Sequence, residues 1–257
     1  MAKERSVEGS KPRHRTMRHT GLAVACAFAA IMTTAASAQT TAPASLPTTT
    51  PTTLPAADQT TPKGALRMLF TATDAGDAAA IRSVLYTSTP LEEKMAGTMA
   101  DMSSAMATLQ KAMRTTFGEE QTRTQVGDPA AAARIRDELL AKQTENIDGD
   151  HAVVKLEGMG NFKPVELKND AGKWKVLIGK SLEKADPSMV EKQLDATGIQ
   201  VKVIREVAAD VSAGKFKNVA DVKQAMDAKV RQALMQYVQD QSKAATQPST
   251  APATQPK

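Results

Sequence analysis

Residues 145–178 read ENIDGDHAVVKLEGMGNFKPVELKNDAGKWKVLI, the part of the chain that reads as sheet. Ala152, Val154 and Leu156 alternate with His151, Val153, Lys155 and Glu157, the period of a strand with one buried and one wet face. Asp148-Gly149 precedes that strand. A glycine in the second central position of a tight turn accepts the positive φ demanded there, so Thr144 to Ile147 should fold back as a hairpin. Downstream, Val165 and Leu167 share a face, Phe162 is out of phase with them, and Pro164 lies between. That pattern reads as a bulge or an edge, because proline has no N–H to give to a ladder. Asn169 to Gly172 form a second turn, leading into Lys173 to Ile178, where Trp174, Val176 and Ile178 share a face. Two hairpins and about four strands are expected, hence an α+β fold with a curved antiparallel sheet.

Helical patterns flank this sheet. Thr61-Pro62, Thr89-Pro90, Asp128-Pro129 and Asp186-Pro187 each place a capping side chain before a ring whose missing N–H costs nothing at the first helical position. The first helix carries Leu66, Leu69 and Phe70 on one side and stops near Gly76. Asp77 caps a second with Ile81, Val84 and Leu85 inward. A long third helix has Leu91, Met95, Met99, Met102, Met106, Leu109, Met113 and Phe117 as a narrow stripe, and ends at Gly118. An Ala-rich helix from Pro129 brings Ile135, Leu139 and Leu140 before the sheet. After the sheet a helical hairpin is expected: Pro187 to about Ala213, with Gly198 as a potential break because Ile199, Val201 and Val203 also alternate like a strand, and then a last helix with Val219, Val222, Met226, Val230, Leu234, Tyr237 and Val238 on one side.

The two ends are of a different kind. Residues 1–38 place six Lys or Arg and two Glu ahead of an apolar run from Gly21 to Met32, too short for a bilayer span and followed by Ala36-Ser37-Ala38. They are read as a signal peptide cut after Ala38, with Met17 as an alternative start and no Arg-Arg pair to suggest the twin-arginine route. A retained anchor and a lipid-modified Cys26 are the alternatives. Of the net charge of +5, these residues contribute +4, leaving 27 Lys and Arg against 26 Asp and Glu, so no nucleic-acid-binding surface is expected. Cys26 is the only cysteine, and a chain cut at Ala38 has no disulfide, thiol nucleophile or thiolate metal site. Residues 39–60 and 243–257 are dominated by Thr, Ala, Pro and Gln, a composition that cannot offset ordering entropy, and read as disordered linker and tail around one domain at 61–242. The product would be an extracytoplasmic bacterial protein, periplasmic or secreted, without an integral membrane segment.

Two segments together resemble the nuclear transport factor 2-like superfamily, the cystatin-like α+β cone. TPKGALRMLFTATDAGDAAAIRSVLY, Thr61 to Tyr86, is similar to the paired opening helices with a Gly-Asp joint. IDGDHAVVKLEG and NDAGKWKVLI are similar to the late hairpins. The resemblance covers about 60 residues. The long methionine helix and the C-terminal helices depart from the family pattern. It implies a cone-shaped fold and no particular function, since the superfamily hosts isomerases, dehydratases, hydrolases and non-catalytic binding modules.

Catalytic candidates are few. His151 is the single histidine after residue 38, beside a turn at a strand start, where exposure explains it. Capping explains Asp77, and solvent explains Asp74. Phe70, Tyr86 and Trp174 are the residues placed to line a pocket between helix and sheet, against the alternative that they fill the core. The thioethers of Met95, Met99, Met102 and Met106 suit Cu(I), but their spacing is that of an amphipathic stripe extended by Leu91, Leu109 and Phe117. Phosphate loop, serine elbow and helical histidine-pair motifs are all missing. The expectation is an exported, non-catalytic domain without cofactor that binds a small apolar ligand or a protein through the methionine stripe and the C-terminal hairpin. An isomerase- or dehydratase-like enzyme with a pocket carboxylate, and a helical oligomerisation unit, are the alternatives.

Overall fold

The computed structural model describes residues 56–156, 163–183 and 185–246. The expected signal peptide, Cys26, Phe162 and most of the expected linker and tail lie outside them. Among the described residues the architecture is α+β, with seven α-helices and an open five-stranded mixed sheet.

Helix α1 (Pro62–Ala75) starts at Thr61, whose hydroxyl accepts from Gly64 N, and stops at Gly76, which takes φ 67°. Asp77 caps α2 (Ala78–Val84) by accepting from Ala79 N and Ala80 N. Strand β1 is only Leu85–Tyr86. Helix α3 (Pro90–Phe117) opens with a full capping box, Thr89 and Glu92 each bonding the other's backbone N–H. Helices α4 (Glu119–Val126) and α5 (Pro129–Lys142) follow. Strands β2 (Thr144–Asp148), β3 (His151–Lys155), β4 (Val165–Asp170) and β5 (Lys173–Leu177) form an antiparallel meander, and α6 (Pro187–Ser212) and α7 (Val219–Thr246) close the chain.

The sheet order is β1-β5-β4-β3-β2, with β1 parallel to β5. The fifth strand is the difference from the expected four: two residues are too few to show a period, and Leu85 reads equally well as the inner face of α2. Both hairpin turns are two residues long. At the first, Gly149 occupies the first central position, not the second, with φ 59° between the paired Asp148 and His151. That conformation suits a type II′ turn. At the second, Ala171 and Gly172 both have positive φ, 52° and 81°, the type I′ pattern, and Asn169 Oδ1 accepts from Gly172 N.

Two apolar clusters fill the interior. The first joins α1 and α2 to the sheet through Leu66, Phe70, Ile81, Val154, Leu167, Trp174 and Val176. The second joins the end of α3 to α6 and α7 through Leu109, Val203, Val207, Val211 and Val222. Helix α3 serves both, with Met95, Ala96 and Ala100 in the first and Ala105, Leu109, Ala112 and Met113 in the second. Helix α6 runs in the same direction as α3, as Lys94–Asp195 at 2.9 Å, Arg205–Asp101 at 3.6 Å and Thr116 Oγ1 to Val211 O at 3.2 Å show in turn. Helix α6 is continuous through Gly198, so no break occurs there. Helix α7 returns antiparallel to it, pinned where Asp210 meets Lys215 at 2.7 Å and Lys229 at 2.8 Å.

Three expectations about burial are corrected. Ile135, read as an inward residue of α5, is 56% exposed, because α5 docks on α1 through Arg67–Asp137 at 3.0 Å and the Asp74–Arg136 ion pair. Val238, read with the inner side of α7, is 61% exposed. On α3 the deepest positions are Ala100, Ala105, Leu109 and Ala96, while Met99, Met102 and Met106 are half-buried. A small side chain lets two helix backbones approach, and the longer methionines lie along the flanks of the contact.

Candidate functional site

Phe70, Tyr86 and Trp174 do not converge on a pocket. Phe70 and Trp174 are 7% and 6% exposed and belong to the first core. The guanidinium of Arg136 lies 5.1 Å from the centre of the Phe70 ring and pairs with Asp74, while its Nε is buried without a hydrogen-bond partner. Asp74 therefore fastens α5 to α1 rather than standing free in solvent. Asp77 is spent on its cap.

Tyr86 faces the other way. In the β1–β5 register it pairs with Leu177, one residue out of phase with the buried Val176, and so projects onto the sheet face opposite the first core. Lys168 lies 4.9 Å from its ring centre and donates to its hydroxyl at 3.3 Å. Across the ladder Lys168 is flanked by His151 on β3 and Lys175 on β5. Lys175 pairs with Asp170 at 2.7 Å, and Lys180 with Glu166 at 2.6 Å. The Lys175 ammonium holds the Asp170 carboxyl below the usual carboxylate range. Tyr86, Val153, Glu166, Lys168, Lys175 and Leu177 are half-buried and form a mixed-charge surface with an aromatic at one side. His151 is exposed on this surface, with Nε2 at 3.6 Å from Asp150. No base and acid pair enclosed in apolar walls is built here.

The buried carboxylate the sequence did not single out as a site is Glu92. Its Oε2 accepts from Ser88 N at 2.5 Å, Ser88 Oγ at 2.9 Å and Thr89 N at 3.1 Å. Burial raises its pKa, and the three hydrogen bonds outweigh that, leaving it lowered. Gly179 comes so close that a Cβ there would overlap Glu92 Oε1 and lie 3.0 Å from its Cδ. This group locks the start of α3 against the end of the sheet and has no room for a substrate.

Glu145 is different. It stands on β2 opposite the buried Val154, on the helix side of the sheet, and its Oε2 is buried without a hydrogen-bond partner. Its neighbour on that face, Ile147, is 50% exposed. The apolar alternation that located β3 is absent from TENID, so nothing in the sequence marked this carboxylate.

The methionines of the copper reading are divided between the cores. Met95 and Met99 pack in the first, Met102 and Met106 in the second. Among the described residues no group of three His, Cys, Asp or Glu is placed to hold a metal ion. Two shallow depressions, of about 360 and 300 Å³, lie on the outer side of α7 around Arg231 and Met235, and between α1 and α3 around Asp74 and Lys111. Neither involves Phe70, Tyr86 or Trp174. Among the described residues no helix is long and apolar enough to cross a membrane. No family model matches the chain, and neither a curated protein nor a solved structure is found to be similar to it.

Proposed function

We propose that this protein is an exported, non-catalytic domain that binds another macromolecule through its outer surface. The observation that carries the reading is the filled interior: Phe70 and Trp174, the rings best placed to line a cavity, are used in packing. A site for a small molecule is ordinarily concave and largely enclosed, whereas a docking surface needs only exposed complementarity. The methionine stripe of α3 is consumed by its two cores, which leaves α7, with Met235 and Val238 57% and 61% exposed, and the Tyr86–Lys168 face of the sheet. Export rests on the sequence of residues 1–38. Kinship with the nuclear transport factor 2-like superfamily is part of the proposal, supported by the Gly76-Asp77 joint between α1 and α2 and by the β2–β3 and β4–β5 hairpins.

The test is photo-crosslinking from single positions of the full chain in cells that export it. Probes at Lys168, Val153 and Met235 should give a discrete adduct of one size from the sheet or from α7. A probe at Arg134, on the exposed side of α5, should give none. Absence of adducts from all three surface probes, or retention of the uncut chain in the cytoplasm, would refute the proposal.

A further inference from the structure

We propose that the free edge of β2 receives an extended peptide strand, with a basic side chain opposite Glu145 and an apolar one opposite Ile147. The two edges of the sheet are unlike. At the β5 edge, β1 covers Val176 and Leu177. Just beyond, Gln59 completes the cover: its main-chain O accepts from Trp174 N at 2.8 Å and its side-chain Nε2 donates to Trp174 O at 3.2 Å. At the β2 edge all five residues are in register with β3, and among the described residues nothing pairs the outward backbone groups of Thr144 to Asp148. Strand β2 has no proline, lysine or bulge, and the edge-guarding device it does carry is the inward-pointing charge of Glu145.

Glu145 decides what can dock. An oxygen of a carboxylate that is removed from water and left without a donor is costly, and an incoming ammonium or guanidinium relieves that cost. Pairing between two copies of β2 brings no such relief. Centred on Asn146, it would set Glu145 against the Ile147 of the other copy, and an inward-pointing charge of this kind opposes self-association. Asp148 and Asp150, at the turn end, add negative charge beside the edge. The occupant is therefore a strand of another protein in which an apolar residue and a Lys or Arg alternate with small polar ones, added by main-chain hydrogen bonds.

The inference rests on the surface-binding reading above and is tested apart from it. The isotope-labelled full chain is titrated with the peptide acetyl-Thr-Ile-Thr-Lys-Thr-amide and with its Lys-to-Glu counterpart, following backbone amide signals. The lysine peptide should shift signals of Thr144 to Asp148 and their β3 partners, and the glutamate peptide should not. Glu145→Gln should melt no lower than the parent, since it removes an unpaired charge, and should weaken the lysine peptide about tenfold, the loss of one charge-assisted contact. Equal binding of the two peptides, no shifts at millimolar peptide, or shifts centred elsewhere would each overturn the edge site. Crosslinks from Lys168 or Met235 that persist beside a failed titration would sink the edge alone; loss of both would sink the binding reading too.

Discussion

Replacing Gly76 by alanine probes the close approach of α1 and α3. Gly76 ends α1 in the left-handed region at φ 67°, with its N–H on Thr73 O and that of Asp77 on Ala72 O. A Cβ at this position would overlap Ala107 Cβ on α3 and lie 3.2 Å from Ser104 Cα. Two costs add. The left-handed conformation costs an L-residue about 1–2 kcal/mol. Forcing a methyl group into packed helix backbone costs about 1–3 kcal/mol more. Gly214 separates them, because it has nearly the same φ, 69°, and nothing within 4 Å of its would-be Cβ. Gly214→Ala should lose about 1 kcal/mol and Gly76→Ala about 3, so that thermal unfolding of the full chain by circular dichroism moves roughly 2–4 °C and 6–12 °C downward. Adding Ala107→Gly to Gly76→Ala removes the colliding atom. The double variant should be more stable than the sum of the single changes by about 2 kcal/mol, even though glycine inside α3 itself costs about 1. A Gly76→Ala variant no less stable than Gly214→Ala, or no coupling in the cycle, would refute the close approach of α1 and α3.

The β4–β5 turn should improve. Ala171 is the one described non-glycine residue at positive φ, and Ala171→Asn creates the Asn-Gly pair preferred in type I′ turns, raising stability by about 1 kcal/mol in a urea titration. Gly179→Ala should displace the Glu92 carboxylate and undo the capping box of α3, with a loss of about 1–3 kcal/mol by the same measurement; Glu92→Gln should lose less, since the amide oxygen still accepts from Ser88 and Thr89. Asp210 is held down to about 2 by hydrogen bonds from Lys215 and Lys229. A carboxyl lowered in the folded state stabilises above its unfolded pKa and loses that contribution as pH falls through the folded value. Asp210→Asn should therefore melt lower than the parent at pH 7, and the gap should close between its ordinary value of 3.8 and about 2.

Helix starts were the most legible part of the sequence, because a cap is a local chemical event. Thr61, Asp77, Thr89, Asp128 and Asp186 all accept from the first turn of the helix they precede. The strands β3 and β5 were legible from alternation, which survives wherever one face is covered. What escaped depends on tertiary contact. Helix α4, EEQTRTQV, offers no apolar period: its buried residue is Thr122, whose hydroxyl returns to Gly118 O. Strand β1 exists only because β5 is beside it. The polar docking of α5 onto α1, which turns Ile135 outward, joins partners 62 and 70 residues apart. The site residues failed for the same reason: Phe70, Tyr86 and Trp174 are aromatic in the sequence, but strand register decides which side of the sheet Tyr86 and Trp174 serve, and the docking of α1 decides what Phe70 packs against. Glu145 was invisible because an edge has no signature until its neighbours are known.

Helix α3 is common to both apolar clusters, and this constrains the molecule as a piece of engineering. Each half of the protein borrows one wall from the other, so neither the sheet with α1 and α2 nor the α6–α7 pair can be excised and transplanted intact. A cut between them strands a greasy flank of 28-residue α3 on whichever fragment keeps it. Melting of the two halves should consequently coincide, and any insertion or deletion that changes the phase of α3 between Ala100 and Ala105 would rotate one half against the other by about 100° per residue.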